Sequence, residues 1–110
     1  MNVLYEDGHL RIAWAEGGWV RVTGEVDLSN SAALAAMLSR LSAEHGRLDV
    51  DVAGLRFVDL SGLRSLIHTP ALADGSPARL HNVPSHLRRL MTLLGWEPAD
   101  AGGPGRSVVP

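Results

Sequence analysis

The sequence of 110 residues contains no cysteine and no lysine. Without cysteine there can be no disulfide framework and no metal site with thiolate ligands. Without lysine there can be no phosphate-binding loop of the Gly-Lys type. None of the five histidines has a partner at i, i+4 on a predicted helix, so we predict neither a metal nor another cofactor. The formal charge of -2 and the lack of a basic stretch argue against a nucleic-acid-binding protein.

Long apolar runs are also absent. No segment approaches ~18 uninterrupted apolar residues, so no membrane insertion is predicted. The stretch MNVLYEDGHLRIAW at the start has no basic region followed by an apolar run, which argues against a secretory signal. The hydrophobic content of 45% is that of a chain with a single globular core. We therefore expect one cytoplasmic domain.

Two segments near the start show strand periodicity. LRIAWA at 10–15 and WVRVTGEV at 19–26 both alternate apolar with polar or small residues, and the turn signal EGG at 16–18 joins them. This pattern predicts an antiparallel hairpin. Residues 3–5 are a weaker candidate for an earlier strand.

The periodicity then changes to that of a helix. Asp27, Ser29 and Asn30 offer caps for a first helix that should end near Gly46. LDVDVAGL at 48–55 returns to strand periodicity.

Two more helices and one more strand complete the predicted order. A second helix follows the stretch DLSG and should end or bend at Pro70, before a turn at 73–77. ARLHNV at 78–83 is predicted to be a strand. A third helix should begin at Pro84 and end at Gly95.

The order hairpin, helix, strand, helix, strand, helix predicts an α/β fold. Strand–helix–strand crossovers require parallel strands, so the sheet should be mixed, with the helices packed on one face. We expect the domain to span residues 1–96, followed by a flexible Gly/Pro-rich tail over residues 97–110. The predicted core includes Leu34, Leu38, Leu41, Val50, Val52, Leu66, Leu90 and Leu94.

A small polar group interrupts FVDLSGLRSL, residues 57–66, where a strand gives way to a helix. Either Asp59 or Ser61 could cap that helix, and Gly62 could ease a tight turn. Asp27 also follows a strand. If the two strands are neighbours, both acids and Ser61 meet at one edge of the sheet, where α/β folds tend to place sites.

A hydrolase is the enzymatic alternative for this group. Ser61 does not lie in a G-x-S-x-G stretch, however, and His68 would be ~10 Å away along the same helix. We predict that the protein is not an enzyme.

Three blocks of the sequence resemble the STAS domain of bacterial anti-sigma-factor antagonists. They are GEVDLSNSAAL (24–34), LDVDVAGLRFVDLSGLRSL (48–66) and ARLHNVPSHLRRLMTLLGW (78–96), and they keep the order and approximate spacing of the family. The resemblance covers roughly residues 10–96.

The resemblance implies a protein switch. Similar family members bind an anti-sigma factor that is also a serine kinase with a histidine-kinase-like ATPase fold, and this binding frees the sigma factor. The kinase phosphorylates the serine before glycine in D-x-S-G, here Ser61, and the antagonist is released; a PP2C-type phosphatase resets it. Asp27, Asp59, Leu60 and Gly62 are the implied neighbours of the switch site.

Two departures from the family pattern leave an alternative open. Leu60 stands where the family commonly has a first serine, and Pro70 interrupts the second helix early. A STAS domain that is never phosphorylated, and that acts as a fixed interaction or ligand-binding subunit, for example of a lipid-transport complex, fits these features too.

Overall fold

The computed structural model describes residues 2–67 and 79–95. Within these residues the strands are β1 (Asn2–Glu6), β2 (Leu10–Trp14), β3 (Val20–Val26), β4 (Asp49–Asp51), β5 (Leu55–Val58) and β6 (Arg79–His81). The helices are α1 (Ser31–His45), α2 (Leu60–Ile67) and α3 (Ser85–Leu93), and a 3-10 turn spans Glu16–Gly18.

The strands form one mixed sheet. β1, β2 and β3 pair antiparallel in sequence order, and β3 then pairs parallel with both β4 and β5. β6 lies outside β4 and is parallel to it. Because β1 and β3 both run antiparallel to β2, the carboxyl ends of β1, β3 and β5 lie at the same edge of the sheet.

The segment predicted as a single strand over 48–55 is divided in the structure. β4 pairs with the first half of β3, and β5 pairs with its second half. Between them the Asp51 side chain accepts a hydrogen bond from the amide of Ala53 at 3.0 Å and turns the chain. Gly54 then lies so close to Thr23 that a Cβ atom added to Gly54 would be 2.6 Å from Cγ2 of Thr23. The prediction missed this break because the alternation of side chains continues into it.

The helices pack on one face of the sheet, as predicted. Alternate residues of the strands point to this face, among them Ile12, Val22 and Val50, and join α1, α2 and α3 in one apolar core. Six of the eight predicted core residues are buried in it: Leu34, Leu38, Leu41, Val50, Val52 and Leu66.

The prediction of which residues of the third helix lie in the core was wrong in part. Leu87 and Met91 are its buried residues, whereas Leu90 is only partly buried against the core. Leu94 is 41% exposed because α3 ends at Leu93 and Leu94 is already the cap residue. Gly95 follows with φ +79 and donates its amide to the Thr92 carbonyl, which is the glycine stop predicted from the sequence.

Several predictions lie outside the described residues. They are the break at Pro70, the turn at 73–77, the position of His68, the end of the domain at residue 96, and the tail over 97–110.

Candidate functional site

Two acids lie side by side where β3 and β5 end. Val26 and Val58 are paired in the parallel ladder, and Asp27 and Asp59 are the next residues of their strands. The amide of Asp59 continues the ladder by donating to the Val26 carbonyl at 3.1 Å. The two acids are therefore held one strand apart by backbone bonds.

Asp59 caps the second helix and also holds Ser61. Its Oδ1 accepts a hydrogen bond from the Gly62 amide at 2.9 Å, which satisfies one of the N–H groups that a helix start leaves unpaired. The same oxygen accepts the Ser61 hydroxyl at 2.6 Å. Of the two caps considered from the sequence, the residue in use is Asp59, and Ser61 lies in the first turn of α2 with a fixed, half-buried hydroxyl.

Asp27 makes its own local structure and does not bond to Ser61 among the hydrogen bonds of the described residues. Its Oδ1 accepts both the Ser29 hydroxyl, at 2.6 Å, and the Ser29 amide, at 2.9 Å. These two bonds stabilise the carboxylate and lower the pKa of Asp27 below its ordinary value.

The start of the first helix differs from the predicted capping. Asn30 is the cap residue by position, but its side chain makes no capping bond to the helix. Instead its Oδ1 accepts the amide of Asp27 at 3.0 Å, and its Nδ2 donates to the Glu25 carbonyl at 3.0 Å. The buried Asn30 amide therefore fixes the loop that carries Asp27 to the end of β3.

Gly62 has a packing role and not the predicted turn role. It is a buried helical residue, and it is not among the glycines with positive φ. A Cβ atom at this position would lie 2.7 Å from Val26 Cγ1 and 3.0 Å from Val58 Cγ1. Glycine thus lets the first turn of α2 lie directly on the ends of β3 and β5, and this brings Ser61 to the edge of the sheet.

An open, mainly apolar hollow of about 420 Å³ lies beside the hydroxyl of Ser61. We call it the Ser61 hollow; its lining residues are Leu28, Asp59, Leu60, Ser61 and Arg64. Leu28 is 82% exposed and Leu60 is 43% exposed. The surface beside the Ser61 hydroxyl is therefore apolar on the side of these two leucines.

The sequence interpretation missed Leu28 and Arg64. Leu28 had a visible signal, since it is a lone apolar residue between Asp27 and Ser29 in a polar loop. Arg64 had no such signal, because its place beside Ser61 depends on where α2 begins.

A third acid lies at the same edge of the sheet. Asp7 follows β1, and its Oδ1 accepts the amides of Leu10 at 2.7 Å and His9 at 2.8 Å. These backbone bonds lower the pKa of Asp7 to about 2. The nearby Glu25 is paired with Arg56 at 3.4 Å and with His9 at 3.6 Å. Asp7, Asp27 and Asp59 thus follow three strands that end at one edge of the sheet, and Asp59 also lines the Ser61 hollow.

Within residues 2–67 and 79–95, no helix has the length and apolar character needed to cross a bilayer. The same residues contain no group of three or more acids and histidines arranged to hold a metal ion.

Comparison with known proteins identifies the family. The family described as "Mlab, STAS domain" matches residues 13–98, which is most of the chain. The fold is similar to the crystal structure of an anti-sigma factor antagonist from Mycobacterium paratuberculosis, with a TM-score of 0.62 and 25% sequence identity over 86% of this chain and 77% of the other. No curated protein sequence matches the chain. The chain therefore belongs to the STAS domain family, and it is similar to an anti-sigma factor antagonist in sequence and fold.

Proposed function

We propose that this protein is an anti-sigma-factor antagonist of the cytoplasm, controlled by phosphorylation of Ser61. The unphosphorylated form binds an anti-sigma factor that is also a serine kinase, and so frees the sigma factor. Phosphorylation releases the antagonist, and a PP2C-type phosphatase restores it. The observation that carries this proposal is the Ser61 hydroxyl, fixed by Asp59 at 2.6 Å on the rim of an exposed apolar hollow.

The first turn of α2 is suited to a reversible charge. In the transfer, the Ser61 oxygen bonds to the γ-phosphorus of ATP, ADP leaves, and the hydroxyl proton passes to a base of the kinase. The phosphate adds about -1.5 to -2 charges at pH 7, and the free N–H groups of the helix start stabilise an anion there. The fold should therefore tolerate the phosphate.

The partner surface should not tolerate the same charge. The phosphate replaces a hydroxyl that donates to Asp59, so the new group can no longer donate and repels the carboxylate. It also brings a strongly hydrated anion next to Leu28 and Leu60, and burying it against a partner costs desolvation. Binding should weaken while the domain stays folded.

A permanently bound subunit is the second candidate function. The observation that favours it is Leu60, which makes the surface beside Ser61 more apolar than a serine would. The matching family description, which names Mlab, supports the same direction. In this case the Ser61 hollow would hold a constant partner, as in a lipid-transport complex, and Ser61 would never be modified.

The test is to incubate the protein with ATP and the serine kinase encoded by a neighbouring gene, and to map phosphate by mass spectrometry. We expect phosphate on Ser61, a weaker complex after modification, and partial weakening in Ser61→Asp, which carries less charge than phosphate. Ser61→Ala should bind and resist release, with its helix cap intact because Asp59 provides it.

Ser65 provides a matched control on the same helix. It is buried, and its single hydroxyl proton is shared between the carbonyl oxygens of Ser31 at 2.8 Å and Ser61 at 3.1 Å. Ser65→Ala should therefore leave phosphorylation unchanged. A stable complex without phosphate on Ser61 would support the permanently bound subunit, and phosphate on Ser65 or Ser85 would show that the acceptor was assigned to the wrong serine.

A further inference from the structure

Arg64 lies on the same side of α2 as Ser61. The two residues are three positions apart on the helix, and side chains with this spacing are neighbours on a helix surface. Both also line the Ser61 hollow. An arginine side chain is long enough to reach a group attached to the Ser61 oxygen.

Arg64 has no ionic partner among residues 2–67 and 79–95. Four other arginines do pair with an acid: Arg21 with Asp51, Arg40 with Glu44, Arg56 with Glu25, and Arg79 with Asp49. Arg64 is exposed and makes no such pair, although Asp59 lines the same hollow. Its guanidinium group is therefore available to an anion that arrives beside it.

We propose that Arg64 receives the phosphate of phosphorylated Ser61 in an internal ion pair. This proposal rests on the phosphorylation of Ser61 proposed above. Guanidinium binds phosphate through two parallel hydrogen bonds, which fixes direction as well as distance. The pairing draws the phosphate away from Asp59, toward the apolar side of the hollow.

The pair explains how an acidic edge accepts more negative charge. Without a cation, a phosphate on Ser61 would face Asp59 and the neighbouring Asp27 with only the helix N–H groups to stabilise it. With Arg64 the phosphate is partly neutralised and lies over the surface that Leu28 and Leu60 offer to a partner. The same ion pair therefore protects the fold and covers the contact surface.

The test places phosphoserine at position 61 genetically, so that no kinase is needed. Phosphorus NMR then follows the second ionisation of the phosphate against pH in the wild-type background and in Arg64→Gln. Arg64 favours the dianion, so its loss should raise the phosphate pKa by roughly 0.15–0.4 pH units, the shift that corresponds to one exposed ion pair on a helix. Arg89→Gln is the matched control, since it removes the same charge from an exposed helical position on α3 and should leave the phosphate pKa unchanged.

An equal phosphate pKa in wild type and Arg64→Gln, with both variants folded by circular dichroism, would overturn the pairing. An equal rise of the phosphate pKa in Arg64→Gln and Arg89→Gln would also overturn it. The change would then reflect the net charge of the protein and not a local ion pair. The proposed switch is judged separately, by kinase binding of the phosphoserine protein. If the kinase binds both forms equally while the Arg64 effect persists, the switch fails and the ion pair holds.

Discussion

Gly62 lies where a methyl group has no room. An added Cβ would approach Val26 Cγ1 to 2.7 Å and Val26 Cβ to 2.9 Å. Both atoms belong to a stiff, β-branched side chain that cannot swing away. Alanine favours a helix over glycine by up to ~1 kcal/mol, whereas overpacking a core costs ~1–3 kcal/mol. We expect Gly62→Ala to lower the free energy of unfolding, measured by urea denaturation.

A double-mutant cycle with Val26 identifies the cause of that loss. Val26→Ala removes Cγ1, the nearest of the atoms that a Cβ at position 62 would meet, and leaves Val26 Cβ at 2.9 Å and Val58 Cγ1 at 3.0 Å, so it relieves the clash in part. The double variant should therefore be more stable than the sum of the two single losses predicts. Strictly additive losses would show that the close contact is not the reason for glycine.

At the scale of single elements, α3 offers a direct comparison of two leucines. Leu87 is fully buried against the sheet, while Leu94 is 41% exposed just past the end of the helix. Leu87→Ala should cost ~2–5 kcal/mol of unfolding free energy, the range for a truncated core leucine. Leu94→Ala should cost clearly less. Equal losses in urea denaturation would mean that Leu94 belongs to the core after all.

Elements with a regular apolar period could be predicted from the sequence. The hairpin of β2 and β3, the three helices and the mixed sheet all follow from alternation, helical spacing and the parallel crossovers. The division of β4 from β5 could not be predicted, since it depends on Asp51 turning the chain and on Gly54 meeting Thr23. Such contacts form only once the strands have paired.

The candidate site could also be predicted only in part from the sequence. The position of Asp27 and Asp59 at one edge follows from their place after two strands, once those strands are taken as neighbours. Their roles in a switch, like that of Ser61, stay predictions. The place of Arg64 beside Ser61 could not be read from sequence, because it requires the helix to begin at Leu60.

At the scale of the whole molecule, negative charge collects where strands β1, β3 and β5 end. Asp7 and Asp27 are each stabilised as carboxylates by hydrogen bonds, and the pKa of each lies below its ordinary value of 3.8. Both groups are at the surface, so water screens their interactions. A depressed pKa in the folded state means that the ionised form favours folding, and protonation removes that contribution.

Asp7→Asn tests this linkage across the acid range. Asparagine can still accept the amides of His9 and Leu10 through its Oδ1, but it carries no charge. Above the unfolded pKa of 3.8 the wild type should be more stable than the variant, and the difference should shrink as pH falls toward the folded pKa of about 2. Urea midpoints at several pH values between neutral and the lowest pH at which the domain stays folded measure the difference. For Asp27→Asn the difference from wild type should also shrink as pH falls. If the difference in urea midpoint between wild type and Asp7→Asn stays constant with pH, then the shape of the side chain, and not its charge, explains the stabilisation.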